Sequence, residues 1–237
     1  MTRILYTTYS PLNHTPLLEQ KFMLRYHCST VLAEVTMKRA FSGASEAPPA
    51  AKSKPTAASG HWSTQLLASM QDPEKVVKSD EMTVTIKDAY PKAVHHYLVL
   101  PKENIANLRS LNTSHIKLLR HMLRCGEQLE EELKSKNPSL QFRHGYHAVP
   151  SMARLHMHVI SQDFDSACLK TKKHWNSFTS EFFKDAKDII RILETNGKID
   201  LDKEKYEALL KLPLKCHVCH AELPNMPKLK GHIQKHK

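Results

Sequence analysis

The pattern of apolar and polar positions becomes regular from residue 61 onward. Alternating or wholly apolar runs predict strands in MTVTIKD, HHYLVLP, LQFRHGYH and LHMHVIS. Apolar residues at helical spacing predict a short helix in WSTQLLASM, a long helix from about Asn112 to Lys136, and a further helix over 177–193. Because the strands mostly follow one another without intervening helices, the pattern favours an α+β domain with an antiparallel sheet.

Residues 1–60 have a different composition. They end in SGASEAPPAAKSKPTAASG, which buries too little apolar surface to offset the entropy lost on ordering. We therefore expect residues 1–60 to be a disordered basic extension, residues 61–195 to form the α+β domain, and residues 196–237 to form a linker and a small metal-stabilised unit. An organelle-targeting segment at the start of the chain is the weaker alternative.

Composition narrows the class of protein and of partner. The 237 residues include 35 Lys and Arg against 24 Asp and Glu, and the net charge of +11 favours an acidic polyelectrolyte such as nucleic acid. A mean hydropathy of −0.48 predicts no membrane association, since the sequence has no apolar run near the roughly 20 residues that span a bilayer. Only two of the five cysteines are clustered, so a reducing compartment is expected.

Candidate chemistry lies in the segment RLHMHVI, residues 154–160. In a strand, alternation sends Arg154, His156 and His158 to one face. A neutral imidazole can attack phosphorus, and a neighbouring protonated imidazole or guanidinium can neutralise charge on the phosphate oxygens. The segment therefore predicts a nucleotidyl-transfer site. Surface histidines and half of a metal site remain open alternatives from these residues alone.

A second motif lies near the C-terminus. Its spacing, Cys-x2-Cys-x12-His-x3-His, is typical of a tetrahedral zinc site and comprises Cys216, Cys219, His232 and His236. Leu223 and Leu229 occupy the places of a small apolar core. Four protein ligands leave no open position for water, so we expect one structural zinc and no catalytic metal. Lys228 and Lys230 suit weak contacts with DNA phosphates rather than with bases.

The motif His156-x-His158-Val159-Ile160 resembles that of the histidine-triad superfamily, with Arg154 in the place of the first histidine. The segment IKDAYPKAVHHYLVLPKENI is similar to its nucleoside-binding stretch. Three further segments, GYHAVPSMARLHMHVISQDFDS, KKHWNSF and LLKLPLKCHVCHAELPNMPKLKGHIQKHK, resemble the aprataxin-type DNA-adenylate hydrolases over about residues 61–237. Residues 1–60 are too few to form the forkhead-associated domain of vertebrate members, so we expect no counterpart of it.

The resemblance implies a histidine-triad-type antiparallel sheet with helices, followed by a ββα-like finger. It also implies a nuclear DNA-repair hydrolase that removes AMP from 5′-adenylated DNA ends through a covalent AMP–histidine intermediate, releasing AMP and a 5′-phosphate end. His156 would be the nucleophile, with His158 and His147 stabilising the phosphate oxygens. The expected substrate-binding residues are Asp88, Lys92, His96, Ser151, Arg154 and Lys173, and the weaker DNA contacts are Lys172 and His174.

Two alternatives to this function remain at the level of the sequence. A general histidine-triad hydrolase would act on small adenylates or dinucleoside polyphosphates, and its finger would be incidental. A catalytically dead DNA-binding protein would be marked by Arg154 in the motif. RNA–DNA junctions are a further possible class of partner.

Overall fold

The structure is a computed structural model that describes residues 61–236, with side chains from residue 65 onward. The predictions made for residues 1–60 lie outside this range. The helices of the described part are α1 (His61–Gln71), α2 (Ile116–Lys136), α3 (Lys172–Thr179), α4 (Ala186–Asn196), α5 (Lys203–Leu209) and α6 (Met226–Ile233). Within residues 61–236, no helix combines the length and apolarity needed to cross a bilayer.

The main sheet has six strands in the order β1-β2-β3-β5-β4-β6, and every neighbouring pair is antiparallel. Its strands are β1 (Val76–Ser79), β2 (Thr83–Lys87), β3 (His96–Pro101), β4 (Phe142–His147), β5 (Met157–Ser161) and β6 (Phe183–Asp185). The long helix α2 and α4 pack against it over a core that includes Leu119, Met122, Val159 and Ile189. The predicted α+β class with an antiparallel sheet is confirmed.

The structure corrects the single helix predicted over 177–193. That segment contains the end of α3, then β6, then α4. Helix α3 stops at Thr179, and the hydroxyl of Ser180 donates to the carbonyl of Asn176 at 2.6 Å. The chain then becomes extended so that Phe183 can pair with His147 of β4. Tertiary pairing overrides the helical pattern here, and no proline or glycine marks the break.

The C-terminal segment forms a ββα unit of β7 (Leu214–Lys215), β8 (Glu222–Leu223) and α6. Leu229 is fully buried and Leu223 is partly buried, so the predicted small apolar core is confirmed. This core continues into the main domain, because Leu229 and Ile233 belong to the same hydrophobic cluster as Phe164 and Trp175. We call this shared set the junction cluster.

Polar contacts reinforce the junction cluster. The indole Nε1 of Trp175 donates to the carbonyl of Lys215 at 2.8 Å, and the side chain of Asn176 donates to the carbonyl of Leu212 at 2.9 Å. His217, in the turn of the finger, lies 3.0 Å from the carbonyl of Gln162. The boundary predicted at residues 195 and 196 stays a prediction.

Candidate active site

Four histidine side chains lie together in the middle of the sheet. His96 begins β3, His147 ends β4, His158 lies in β5, and His156 lies directly before β5. Antiparallel pairing of β3 and β4 with β5 brings them together, so that the ring of His158 is 5.1 Å from that of His96, 4.5 Å from that of His147 and 5.0 Å from that of His156. The structure therefore groups the three predicted catalytic histidines with the predicted His96.

Hydrogen bonds determine which nitrogen of each ring carries a proton. The backbone N–H of Lys92 donates to Nδ1 of His96 at 3.1 Å, so a neutral His96 carries its proton on Nε2. That Nε2 lies 2.9 Å from Nδ1 of His158 and donates to it, which leaves the proton of His158 on its own Nε2. His158 therefore presents an N–H to the site.

His156 has the opposite arrangement. Its Nδ1 lies 2.6 Å from the backbone carbonyl of Arg154, and a carbonyl can only accept a hydrogen bond. The proton of a neutral His156 is therefore on Nδ1, and its Nε2 carries a free lone pair. Adjacent rings thus offer a lone pair, at His156, and an N–H donor, at His158.

Burial keeps these rings neutral. His96, His156 and His158 are each at most 5% exposed, and burial is the main reason that the pKa of each lies below its usual value. The pKa of His96 falls to about 4. Burial, followed by His156 and His96, also holds the pKa of His147 well below its usual value. At neutral pH the cluster is a set of neutral imidazoles.

Two ring nitrogens of the cluster are buried without a hydrogen bond to the described residues. Nε2 of His147 and Nε2 of His158 are buried, and neither has a hydrogen-bond partner among the described residues. A buried polar atom without a partner is costly, so it is commonly satisfied by a bound group or water. The two nitrogens are well suited to the oxygens of a bound phosphate.

Phe178 of α3 is at the site although the sequence pattern did not predict it. Its ring lies 5.3 Å from that of His96, 4.7 Å from that of His147 and 5.2 Å from that of His158. Its position within the KKHWNSF segment was the available signal, but a buried aromatic residue in a helix usually indicates core packing. Phe178 helps to exclude water from the imidazoles and fixes their orientation.

Arg154 is buried beside the cluster, and its guanidinium contacts the loop after β3. Its guanidinium donates to the backbone carbonyls of Pro101, Lys102 and Glu103 at 2.9 to 3.3 Å, and to the side chain of Asn104 at 3.3 Å. Arg154 and His156 both precede strand β5, which begins at Met157. The residue attaches the loop after β3 to the segment that carries His156.

Asp88 and Lys92 contact different nitrogens of the His96 ring, Asp88 at Nε2, which also faces His158, and the backbone N–H of Lys92 at Nδ1. The carboxylate of Asp88 is 3.6 Å from Nε2 of His96, and it accepts the backbone N–H of Tyr90 at 2.7 Å. The amine of Lys92 donates to the carbonyl of Tyr90, and burial lowers its pKa. The loop between β2 and β3 therefore places one carboxylate and one amine beside the histidines.

The remaining predicted contact residues lie on two surfaces. Lys172, Lys173 and His174 form the first turn of α3, the helix whose Phe178 contacts the histidines. Burial, followed by the charges of Lys92 and Lys173, lowers the pKa of His174. Ser151 is exposed in the loop between β4 and β5. In the finger, Lys228 is exposed, whereas the amine of Lys230 donates to the carbonyl of Ser166 at 2.7 Å.

The finger brings together its four predicted ligands. The candidate ligand atoms of Cys216, Cys219, His232 and His236 all lie within 4.8 Å of one another. Cys216 is buried and Cys219 is exposed, and Nε2 of His232 is 3.1 Å from both Sγ of Cys219 and Nε2 of His236. Two thiolates and two imidazoles at this spacing fit a tetrahedral zinc ion.

Comparison with known proteins gives two matching family models. Residues 61–174 match the model described as scavenger mRNA decapping enzyme C-term binding. Residues 179–237 match the C2HE / C2H2 / C2HC zinc-binding finger. The structural resemblance extends over both parts: Hnt3 from Schizosaccharomyces pombe, an aprataxin ortholog, is 25% identical, with a TM-score of 0.59 over 72% of this chain and 90% of that one. An aprataxin ortholog Hnt3 in complex with DNA has the same TM-score and identity.

Sequence relatives support the same assignment. Aprataxin from Ciona intestinalis is 56% identical over 73% of this chain and 45% of its own length, so this chain spans about half of that relative. The aprataxin-like protein from Saccharomyces cerevisiae is 32% identical over 68% of this chain and 87% of its own length. The resemblance found in the sequence motifs is thereby confirmed, and the chain belongs to the aprataxin family of histidine-triad proteins with a C-terminal zinc finger.

Proposed function

We propose that this chain is a DNA-repair hydrolase that removes AMP from 5′-adenylated DNA ends through a covalent AMP–histidine intermediate. The observation that carries the proposal is the pair of adjacent imidazoles with opposite protonation, a lone pair on Nε2 of His156 and an N–H on Nε2 of His158. A nucleophile and a donor to phosphate oxygen are the two groups that attack on an adenylate requires.

In the first step, Nε2 of His156 attacks the α-phosphorus of the adenylate. A P–N bond forms, the bond to the bridging oxygen breaks, and the 5′-phosphorylated DNA leaves. The N–H groups of His158 and of a neutral His147 stabilise the oxygens of the transition state, and the Nε2 atoms of both rings are buried without a hydrogen-bond partner among the described residues. Water then cleaves the P–N bond and releases AMP. No catalytic metal is proposed, because a DNA monophosphate is already a good leaving group.

The surroundings of the cluster suit an adenylated DNA end. Asp88 lies where it can accept hydrogen bonds from the ribose hydroxyls, and Lys92 and Lys173 supply positive charge for the phosphates. His96 supports His158 through the hydrogen bond between their rings. Ser151, Lys172 and His174 complete the proposed contacts. Arg154 positions His156, and its direct contact with substrate stays a prediction.

The finger is proposed to bind one structural zinc and the DNA backbone. The four ligands fit the metal, which supplies folding free energy to the finger when bound. Lys228 is exposed and available to phosphates, whereas Lys230 is engaged by Ser166 and contributes mainly positive charge. The known binding of DNA by an aprataxin ortholog supports this role, and a repair function supports a nuclear location. RNA–DNA junctions remain a second candidate substrate.

The first prediction tests the nucleophile. His156→Ala should reduce hydrolysis of 5′-adenylated nicked DNA to background, because the attacking lone pair is lost, while leaving DNA affinity almost unchanged. Single-turnover hydrolysis and a fluorescence binding titration measure the two quantities. Labelled AMP should be trapped on wild-type protein in samples quenched with alkaline denaturant, since a P–N bond to histidine survives base and is hydrolysed in acid, and it should be absent from the variant.

His115→Ala is the control for nonspecific effects of replacing a histidine, and it should keep its activity because His115 lies before α2 and outside the cluster. Equal activity in His156→Ala would refute the assignment, and a wild-type protein that never acquires labelled AMP would favour a nonenzymatic DNA-binding protein. Diadenosine tetraphosphate is assayed beside the DNA substrate. Faster turnover of that dinucleotide would favour a general histidine-triad hydrolase.

A further inference from the structure

A second cluster of metal-ligating side chains lies outside both the histidine site and the finger. It comprises Asp80, in the turn between β1 and β2, and His121 and Cys125 of α2. His121 and Cys125 are four residues apart, so they share one face of the helix, and that face meets the turn. We call these three residues the hairpin cluster.

The donor atoms of the hairpin cluster converge on one point. Oδ2 of Asp80 lies 2.9 Å from Nε2 of His121 and 3.5 Å from Sγ of Cys125, and that sulfur lies 3.6 Å from the same Nε2. A catalytic triad would use both ring nitrogens, one for the nucleophile and one for the carboxylate. Here the thiol and the carboxylate meet at a single nitrogen, which is the arrangement of a chelating set.

The separations match the edges of a metal tetrahedron. With Zn–S near 2.3 Å and Zn–N or Zn–O near 2.0 Å, tetrahedral ligand atoms lie about 3.3 to 3.6 Å apart. The two separations that involve the sulfur are 3.5 and 3.6 Å. The third, at 2.9 Å, needs to open by only about 0.4 Å to reach the same range. In the finger, Nε2 of His232 lies 3.1 Å from Sγ of Cys219 and 3.1 Å from Nε2 of His236.

The carboxylate is held in place before any ion binds. Oδ1 of Asp80 accepts the backbone N–H groups of Met82 and Thr83, each at 2.8 Å. The hydroxyl of the buried Thr83 donates to Oδ2 at 2.8 Å. Such a partner orients a ligating carboxylate and leaves its other lone pair for a metal. The hairpin cluster therefore has three donors on rigid elements and a second layer of support.

We propose that Asp80, His121 and Cys125 bind a zinc-class divalent ion that connects the β1–β2 turn to α2. Mixed sulfur, nitrogen and oxygen donors suit Zn2+ and its analogue Co2+ rather than Mg2+ or Ca2+. Three protein ligands leave a fourth position for water, in contrast to the closed set of the finger. The 237-residue chain therefore binds two such ions, one in the finger and one in the hairpin cluster.

The test is metal stoichiometry of the purified full chain. Protein is saturated with Zn2+, passed through a desalting column, and analysed for zinc by mass spectrometry. Wild type should retain two equivalents, whereas Cys125→Ser and Asp80→Asn should each retain one. Cys168→Ser, which replaces another partly exposed cysteine outside the hairpin cluster, is the matched control and should retain two.

A spectroscopic readout identifies the ligand. Titration with Co2+ should give a thiolate-to-cobalt charge-transfer band in two saturating steps for wild type and in one for Cys125→Ser. One equivalent in wild type, or two in both Cys125→Ser and Asp80→Asn, would overturn the proposal and leave a hydrogen-bonded cluster only. If Cys125→Ser unfolds, it loses the finger metal as well, and Asp80→Asn then decides, since its amide oxygen can still accept from Met82 and Thr83.

Discussion

At the scale of single residues, the site depends on which nitrogen holds each proton. A chain of donors runs from the backbone of Lys92 through His96 to His158, while the carbonyl of Arg154 sets His156 in the other tautomer. Replacing any residue in this chain of hydrogen bonds changes which nitrogen of the next ring carries the proton. The chemistry of the site therefore rests on backbone groups as much as on side chains.

Burial of neutral imidazoles predicts an acid-sensitive fold. The folded state depresses the pKa of His96 from 6.5 to about 4, so below pH 6.5 the unfolded chain binds more protons than the folded chain. The contribution of the neutral His96 to the free energy of unfolding is fully present above pH 6.5. It is lost as the pH falls toward 4, by about 1.4 kcal/mol per pH unit for each imidazole that stays neutral in the folded state. Urea unfolding at a series of pH values measures this slope.

His96→Gln is the comparison for that slope. Its stability should depend less on pH than that of wild type, and subtracting one slope from the other removes every pH dependence that the two proteins share. Parallel slopes for the two proteins would show that His96 does not resist protonation.

Arg154 is expected to act on stability and on rate together. Arg154→Met removes the donors to the carbonyls of Pro101, Lys102 and Glu103, and should lower the free energy of unfolding by about 1–3 kcal/mol. Because the carbonyl of Arg154 orients His156, kcat should fall more than KM changes. Lys102→Met alters an exposed side chain of the same loop and is the control. Unchanged stability in Arg154→Met would argue against the positioning role.

At the scale of elements, antiparallel pairing brings together residues that are distant in sequence. The sequence predicted the strands that carry His96, His147 and His158, the first from a continuous apolar run that ends at Pro101 and the last from apolar alternation. It missed β1, whose residues are mostly exposed, and it joined α3 to α4, because the pairing of β6 with β4 leaves no local signal. Residue spacing identified the four Cys and His residues that the structure brings together in the finger. It could not reveal the partners of Arg154, because these are carbonyls of the loop after β3.

Strand β6 approaches β4 so closely that only glycine fits at position 145. A methyl group on Gly145 would lie 2.3 Å from the carbonyl oxygen of Lys184 and 2.6 Å from the ring of Phe183. Gly145→Ala should therefore separate β6 from β4, lower the free energy of unfolding by more than about 3 kcal/mol, and displace His147. Thermal unfolding and hydrolysis assays measure the two effects.

Gly231→Ala is the control, because its effect on the free energy of unfolding should have the opposite sign. A methyl group at Gly231 meets nothing within 4 Å, and the residue lies in α6, so alanine should stabilise the finger by about 0.5–1 kcal/mol. If both variants changed stability equally, close approach of β6 would not be the reason that position 145 is glycine.

At the scale of the whole molecule, the junction cluster joins the finger to the domain that holds the histidines. Trp175 of α3 contacts the finger, and Phe178 of the same helix contacts three of the imidazoles. Loss of a proposed zinc ligand in the finger should therefore also increase hydrogen exchange in α3. In Cys219→Ser, we expect faster hydrogen exchange in both α6 and α3, measured by mass spectrometry, with the β1–β2 hairpin unchanged. Faster exchange confined to α6 would contradict this coupling.

Packing at the junction cluster also fixes the distance between the histidines and the exposed Lys228 of α6. The histidines and Lys228 are therefore held at a constant separation. On the proposed function, a DNA strand that contacts both the histidines and Lys228 gains affinity that a substrate bound at the histidines alone does not. Selection between small and polymeric adenylates would then follow from the rigid seating of the finger rather than from any base that it reads.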